Sequence, residues 1–358
     1  MTEALTCVDL SVAGNEASDL LPVHAPEVLA AYDAHRAFWT VLDEGPVERC
    51  LALLVEHADG SWAAHHLSVD AGVENGRTED GEALAYVDGW VYVLGSHFGS
   101  KAGPLRPKRA FVARFREVEA VRGPVQLQVV RNKFRLHRAI NDALAAADIT
   151  PLPPGDRVRH RFIVETLARG TSRAKSWVSR LAQDDLPINV EAAAVNPSGT
   201  LLLGLRFPVT DKGEPILVEV DGLAGMFDDD PRTWPTVLRA YALTGVTPPN
   251  TLTGVRGMYA DGTGGYHAVI GSIDALDKGS VLVDEHPTGG DVTCRHVRFA
   301  LPAAAVGRPA SGGIGAHSVP GELVADLAPL HNVEGLAAVD GTTYYVTDED
   351  HRVAIWSS

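Results

Sequence analysis

Cysteine, aromatic residues and long apolar runs are all scarce in this chain. Its three cysteines, Cys7, Cys50 and Cys294, lie far apart with no CxxC or Cys/His spacing. That excludes a disulfide framework or a zinc site read from spacing, and leaves buried thiols. Aromatic residues make up 6% of the chain, too few among its basic residues to interleave as a stacking platform for nucleic acid. No apolar run approaches the ~18 residues that a membrane span needs. The stretch MTEALTCVDLSVAGNEASDL lacks the basic start and apolar centre of a signal peptide, so the reading is a cytoplasmic protein with no membrane partner. Also missing are a GxxxxGK[ST] phosphate loop, a GxSxG elbow and an HExxH helix.

What the chain has is β-sheet material. Of 358 residues, 45% are hydrophobic, and 35 glycines and 22 prolines scatter turn signals along the length, which favours many short strands. The formal net charge of −15 opposes a general affinity for nucleic acid. The charge is uneven: residues 100–180 hold 18 of the 31 basic and 6 of the 46 acidic residues.

One pattern recurs. EVLAAYDAHRAFWTVLDEG begins at Glu27, EALAYVDGWVYVLGSHF at Glu82, EAAAVNPSGTLLLGLRFP at Glu191, RGMYADGTGGYHAVIGSID at Arg256 and EGLAAVDGTTYYVTDED at Glu334. Each reads as a charged residue, a short strand, a turn and a second strand. Repeats of ~50–60 residues built from antiparallel strands are the mark of β-propeller blades, which bury their faces by stacking in a ring. The fold class is therefore all-β: a five-bladed propeller, with six blades as the alternative, forming one domain over 1–358. The C-terminal DEDHRVAIWSS supplies a third strand for the last blade, and the N-terminal ALTCVDLSV a fourth that closes the ring. Residues 131–186 interrupt the pattern; Leu136, Ile140 and Leu144 recur at helical spacing, so this stretch is a mainly helical, basic insertion after the second blade.

In two-residue hairpins opposed positions keep a constant index sum. On that count Glu334 faces Thr347 beside Asp348, Glu82 faces Gly95 beside Ser96 and His97, Glu191 faces Gly204 near Arg206, and Glu27 lies near Asp43 and Glu44. All would gather at one mouth of the channel. Four carboxylates there repel, and a hard divalent cation offsets this, Ca²⁺ ahead of Mg²⁺; the predicted ligands are Glu27, Glu82, Glu191 and Glu334. Two alternatives stay open: an ion-pair network using Arg256, and carboxylates with raised pKa. His97 would be a general base or metal ligand. Lys101, Arg106, Lys108 and Arg109, with Arg131, Lys133, Arg135 and Arg138 of the insertion, form either a rim for an anionic small molecule or a surface docking on the acidic body, in a monomer or homodimer.

GEALAYVDGWVYVLGSHFGSKAGPLRPKRAFVARF, NVEAAAVNPSGTLLLGLRFPV, GVRGM and NVEGLAAVDGTTYYVTDED resemble segments of an uncharacterised bacterial β-propeller family, a domain of unknown function. The EGLA hairpin is similar to that of esterase-like phytases, and the carboxylate ring resembles that of calcium-dependent apyrases. The second and third copies depart from the pattern, with EALA and EAAA in place of Gly, and Phe98 follows His97 where the family has Ser. The resemblance implies a propeller and a metal-assisted hydrolase. The resulting expectation is hydrolysis of a phosphate or carboxylic ester of an anionic small molecule, with His97, Arg206, Arg256 and Asp348 catalytic and Lys101, Lys108 and Arg109 binding substrate. A non-catalytic scaffold for a protein partner and a metal-free cyclase or isomerase are the alternatives.

Overall fold

The computed structural model describes residues 5–10, 16–42, 45–121, 123–228, 234–275, 279–302, 315–349 and 352–358. Asp43 and Glu44 lie outside them. All but two of the described strands form five antiparallel four-stranded units, here called blades; Val69–Asp70 and Val125–Gln126 pair parallel on their own. Blade 1 is Leu21–Pro22, Arg36–Val41, Leu51–Glu56 and Trp62–His66. Blade 2 is Gly81–Val87, Trp90–Gly95, Val112–Arg116 and Gln128–Val130. Blade 3 is Asn189–Val195, Leu201–Val209, Pro215–Asp221 and Thr236–Thr244. Blade 4 is Gly254–Ala260, Gly265–Gly271, Arg295–Ala300 and Gly315–Asp326. Blade 5 is Val333–Val339, Thr342–Glu349 and Arg352–Ser357, completed by the N-terminal strand Thr6–Leu10, which pairs Val8 with Ile355.

First strands touch in a closed order: blade 2 on 3, 3 on 4, 4 on 5, and blades 5 and 2 both on blade 1. The apolar clusters lie between blades rather than within them. One joins blades 1, 2 and 5, a second joins 2 and 3, a third joins 3 and 4, and a fourth joins 4 and 5. A single sheet has no core of its own here, so the ring is what removes these residues from water.

Three features differ from the sequence expectation. Blades 3 and 4 are joined into one eight-stranded sheet, because the long strand Gly315–Asp326 pairs parallel with Thr236–Thr244 before turning to Arg295–Ala300. The stretch from Glu27 is no hairpin strand: Pro26 starts a helix, Pro26–Ala31, and Glu27 sits exposed in its first turn, as a proline at the first helical position favours. Third, the constant index sum breaks at each remaining copy. Pairing shifts by one residue between Gly81 and Ala83, Val190 and Ala192, Val255 and Gly257, and Val333 and Gly335. Glu82, Glu191, Arg256 and Glu334 are therefore bulge residues, and a bulge re-aims a side chain that a regular ladder would have paired.

The residue after each bulge is small because another first strand lies against it. A Cβ on Gly257 would come within 2.8 Å of the Gly335 Cα, and one on Gly335 within 2.7 Å of the Asp19 backbone. Between blades 2 and 3, the helix Arg135–Ala146 buries Leu136, Ile140 and Leu144 against both sheets. A second helical run, Asp156–Ser172 with a π-helical middle, packs Phe162 on Phe98 with ring centroids 4.5 Å apart. No helix among the described residues is long and apolar enough to cross a membrane.

Candidate functional site at the channel mouth

The four bulges and the segments beside them line a polar cavity of about 830 Å³ at one end of the ring. Glu82, Glu191, Arg206, Arg256, Glu334 and Asp348 all reach it, as do Lys101 and Arg109. Glu27 does not; it is exposed in the first turn of its helix. Lys108 is exposed and bonds Gly76 O at 3.2 Å beside a smaller neighbouring cavity.

Blade 1 places an acidic residue that the sequence did not single out behind this wall, beside Ser18 of the lining. Leu21 pairs with Trp39 and Ala17 with Leu42, a shift of one that leaves Asp19 in the position the other bulge residues hold. Asp19 is 1% exposed, accepts the backbone N–H of Leu84 in blade 2 at 2.6 Å and of Leu20 at 2.8 Å, and is pushed well above the usual carboxylate range by burial. The strand that follows it, Leu21–Pro22, has two residues, one of them proline, so the only legible signal was an acid ahead of Leu20 and Leu21.

Arginines hold the carboxylates. Arg206 Nη1 donates to Glu191 Oε1 at 3.1 Å and Nε to Ser272 O at 3.2 Å; Arg256 Nη1 reaches the same carbonyl at 3.4 Å and Nε reaches Val333 O at 3.3 Å. Arg256 Nη2 donates to Glu334 Oε1. Arg109 Nη1 lies 2.8 Å from Asp80 Oδ2, which also accepts from the Ser96 hydroxyl. Asp80 is raised by burial against the pull of Arg109, and is hydrogen-bonded to Glu82; a bond between two carboxyls requires a proton on one of them. Glu334 is raised to about 8 by burial, with Arg256 and Arg206 pulling the other way. Its Oε2 is buried with no hydrogen-bond partner among the described residues.

Two of the four predicted metal ligands, Glu191 and Glu334, are thus held by arginines, and Glu27 is elsewhere. Among the described residues no three His, Cys, Asp or Glu side chains converge as a metal-ligand group. Two guanidinium groups on one carbonyl, placed between the carboxylates, do not fit a resident cation, and no step is derived through one.

His97 is not brought to the cavity. Its backbone is left-handed, φ 62°; Ser96 and Phe98 on either side line the cavity, whereas His97 is fully buried and outside its lining. Nδ1 lies 2.7 Å from Gly95 O and Nε2 2.6 Å from Asn132 Nδ2, so the ring donates at Nδ1 and accepts at Nε2, and burial lowers its pKa to about 4. It is a neutral brace between blade 2 and the insertion. The insertion's basic residues are spent elsewhere: Arg131 bonds Glu74 at 2.5 Å, Arg138 pairs with Asp185 at 2.6 Å, and Arg135 lies over the Trp234 ring at 3.2 Å.

No protein-family model matches this chain, and neither does any curated protein sequence. Among solved structures, a GH43 β-1,3-galactosidase with galactodeoxynojirimycin is similar over 95% of this chain and 90% of its own, at 11% identity and a TM-score of 0.45. The Bacillus subtilis arabinanase Arb43A is similar over 98% and 96%, at 12% identity and a TM-score of 0.41. The β-propeller domain of Myceliophteria thermophila Cps50 is similar over 98% and 100%, at 8% identity and a TM-score of 0.36. At these values the likenesses carry no assignment of activity.

Proposed function

We propose that the protein is a hydrolase whose general acid is Glu334, acting on the C–O bond of an ester or glycoside in a small polar molecule bound at the channel mouth. One observation carries the reading: a buried carboxyl on the wall of a polar cavity, with one oxygen on Arg256 and the other without a partner. A carboxyl whose proton stays on to about pH 8 can donate it to a leaving oxygen, and Arg256 then stabilises the carboxylate that remains. Glu191, fixed by Arg206 and by Asn189 Nδ2 at 2.8 Å, takes a proton from the attacking water. Water adds to carbon, the C–O bond breaks, and the proton lost to the leaving group is replaced by the one gained from water. A protonated carboxyl and a second carboxyl held by an arginine divide acid from base in this way. The reading needs no cation.

The test is a panel of chromogenic carboxylic esters, phosphate esters and glycosides, assayed from pH 5 to 9 with wild type, Glu334→Gln and Glu191→Gln. The expected result is turnover of one class, a rate that declines above about pH 8, and a loss of about 100-fold or more in Glu334→Gln. Full activity in a folded Glu334→Gln variant would overturn it.

A further inference from the structure

Asn189 carries a second polar atom without a partner on the same wall. Its Nδ2 donates to Glu191 Oε1, and because a carboxylate held by Arg206 only accepts, the amide orientation is fixed with Oδ1 as an acceptor. That oxygen is buried and has no hydrogen-bond partner among the described residues, on a residue 6% exposed that lines the cavity. An unpaired buried carbonyl costs about 1–3 kcal/mol. The group that completes it is an N–H or O–H donor brought by whatever the cavity binds.

The charge around it narrows the choice. Eight of the lining residues carry carboxyls and four are lysine or arginine. Three of those four already hold a carboxyl: Arg109 on Asp80, Arg206 on Glu191 and Arg256 on Glu334; with Glu334 and one of Asp80 and Glu82 protonated, carboxylates still outnumber the cations. Asp348 also lines the cavity, and among the described residues no hydrogen bond or ion pair reaches its carboxylate. Low-dielectric walls of one charge sign concentrate ligands of the other. An anionic ligand, expected from the basic loop, meets the wrong sign here.

We propose that the cavity binds a hydroxylated primary amine, its ammonium drawn by the cavity's carboxylate surplus, Asp348 included, and one of its N–H or O–H donors completing Asn189 Oδ1. The inference rests on the hydrolase reading in taking this cavity as the substrate site, and adds the charge of what enters it. Three probes on one skeleton test it: 2-amino-1,3-propanediol, glycerol and glycerate, with binding followed at pH 7 by ligand-observed NMR and repeated at raised salt. The amine should bind at least about tenfold more tightly than glycerol and glycerate not at all. That preference should fall several-fold in Asp348→Asn and at high salt, while Asn189→Leu should weaken amine and glycerol together. Asp348→Asn is chosen because it keeps shape, and an unchanged melting temperature excludes a folding defect. Equal binding of the three, stronger binding of glycerate, or no binding by any would overturn the proposal. Binding is read without turnover, so an amine preference with no hydrolysis sinks only the hydrolase, and hydrolysis with no amine preference sinks only this inference.

Discussion

Among single residues, the mouth of the channel sets carboxyls against arginines so closely that protonation becomes part of the structure. Glu334 has a folded pKa raised to about 8. A raised carboxyl contributes its full stability below the unfolded value, near 4.5, and loses it as pH rises through 8. Wild type should therefore lose stability relative to Glu334→Gln between about pH 4.5 and 8, measured by urea unfolding; parallel curves would contradict the assignment. His97 runs the other way. Held neutral with a pKa of about 4, it favours the fold above about 6.5 and ceases to as pH falls towards 4. His97→Gln should flatten that acid limb, with no change in the alkaline one. Because Arg206 holds Glu191 and Glu334 keeps its proton, the melting temperature should be the same in EDTA as in Ca²⁺. A rise with Ca²⁺ that EDTA reverses would restore the cation predicted from the acidic residues.

Among elements, the repeated bulge is the device that builds the site. It turns Glu82, Glu191, Arg256 and Glu334 out of their ladders at the same place in four first strands, and the small residue that follows lets the next strand approach. Gly335→Ala, with its Cβ 2.7 Å from the Asp19 backbone, should cost about 1–3 kcal/mol by overpacking, read in denaturant unfolding. The charged residues of these four copies were legible in the sequence because each opens a hairpin with its own turn. Their place at the channel mouth was legible too; the one-residue shift that turns them into it was not, since index sums assume an unbroken ladder. Glu27 misled for a local reason: Pro26 and the residues after it suit a helix as well as a strand, and Asp19 precedes a strand too short to show a period. His97 looked catalytic from its place at the channel mouth beside carboxylates, but a positive φ cannot be read from a Ser-His-Phe triplet.

Across the whole molecule, closure decides stability. Apolar clusters bridge neighbouring blades, and the last blade takes its outer strand from Thr6–Leu10, the other end of the chain. Both halves of that join were legible as apolar strands at the two termini, whereas the parallel pairing that joins blades 3 and 4 depends on a long connection with no sequence period. Replacing residues 6–10 with Gly and Ser should lower the melting temperature by several degrees without altering the channel-mouth cavity; no shift would contradict a closed ring. The ring in turn gives the cavity its composition, because the first strands of blades 2 to 5 each deliver one charged residue, Glu82, Glu191, Arg256 and Glu334, to a shared mouth. One of them, Glu334, is raised far enough by burial to keep its proton at neutral pH. A carboxyl-selective ¹³C NMR titration of wild type and Glu334→Gln tests it directly. It predicts a glutamate resonance that titrates near pH 8 in wild type and is missing from the variant; a wild-type spectrum with every glutamate ionised by pH 6 would contradict it.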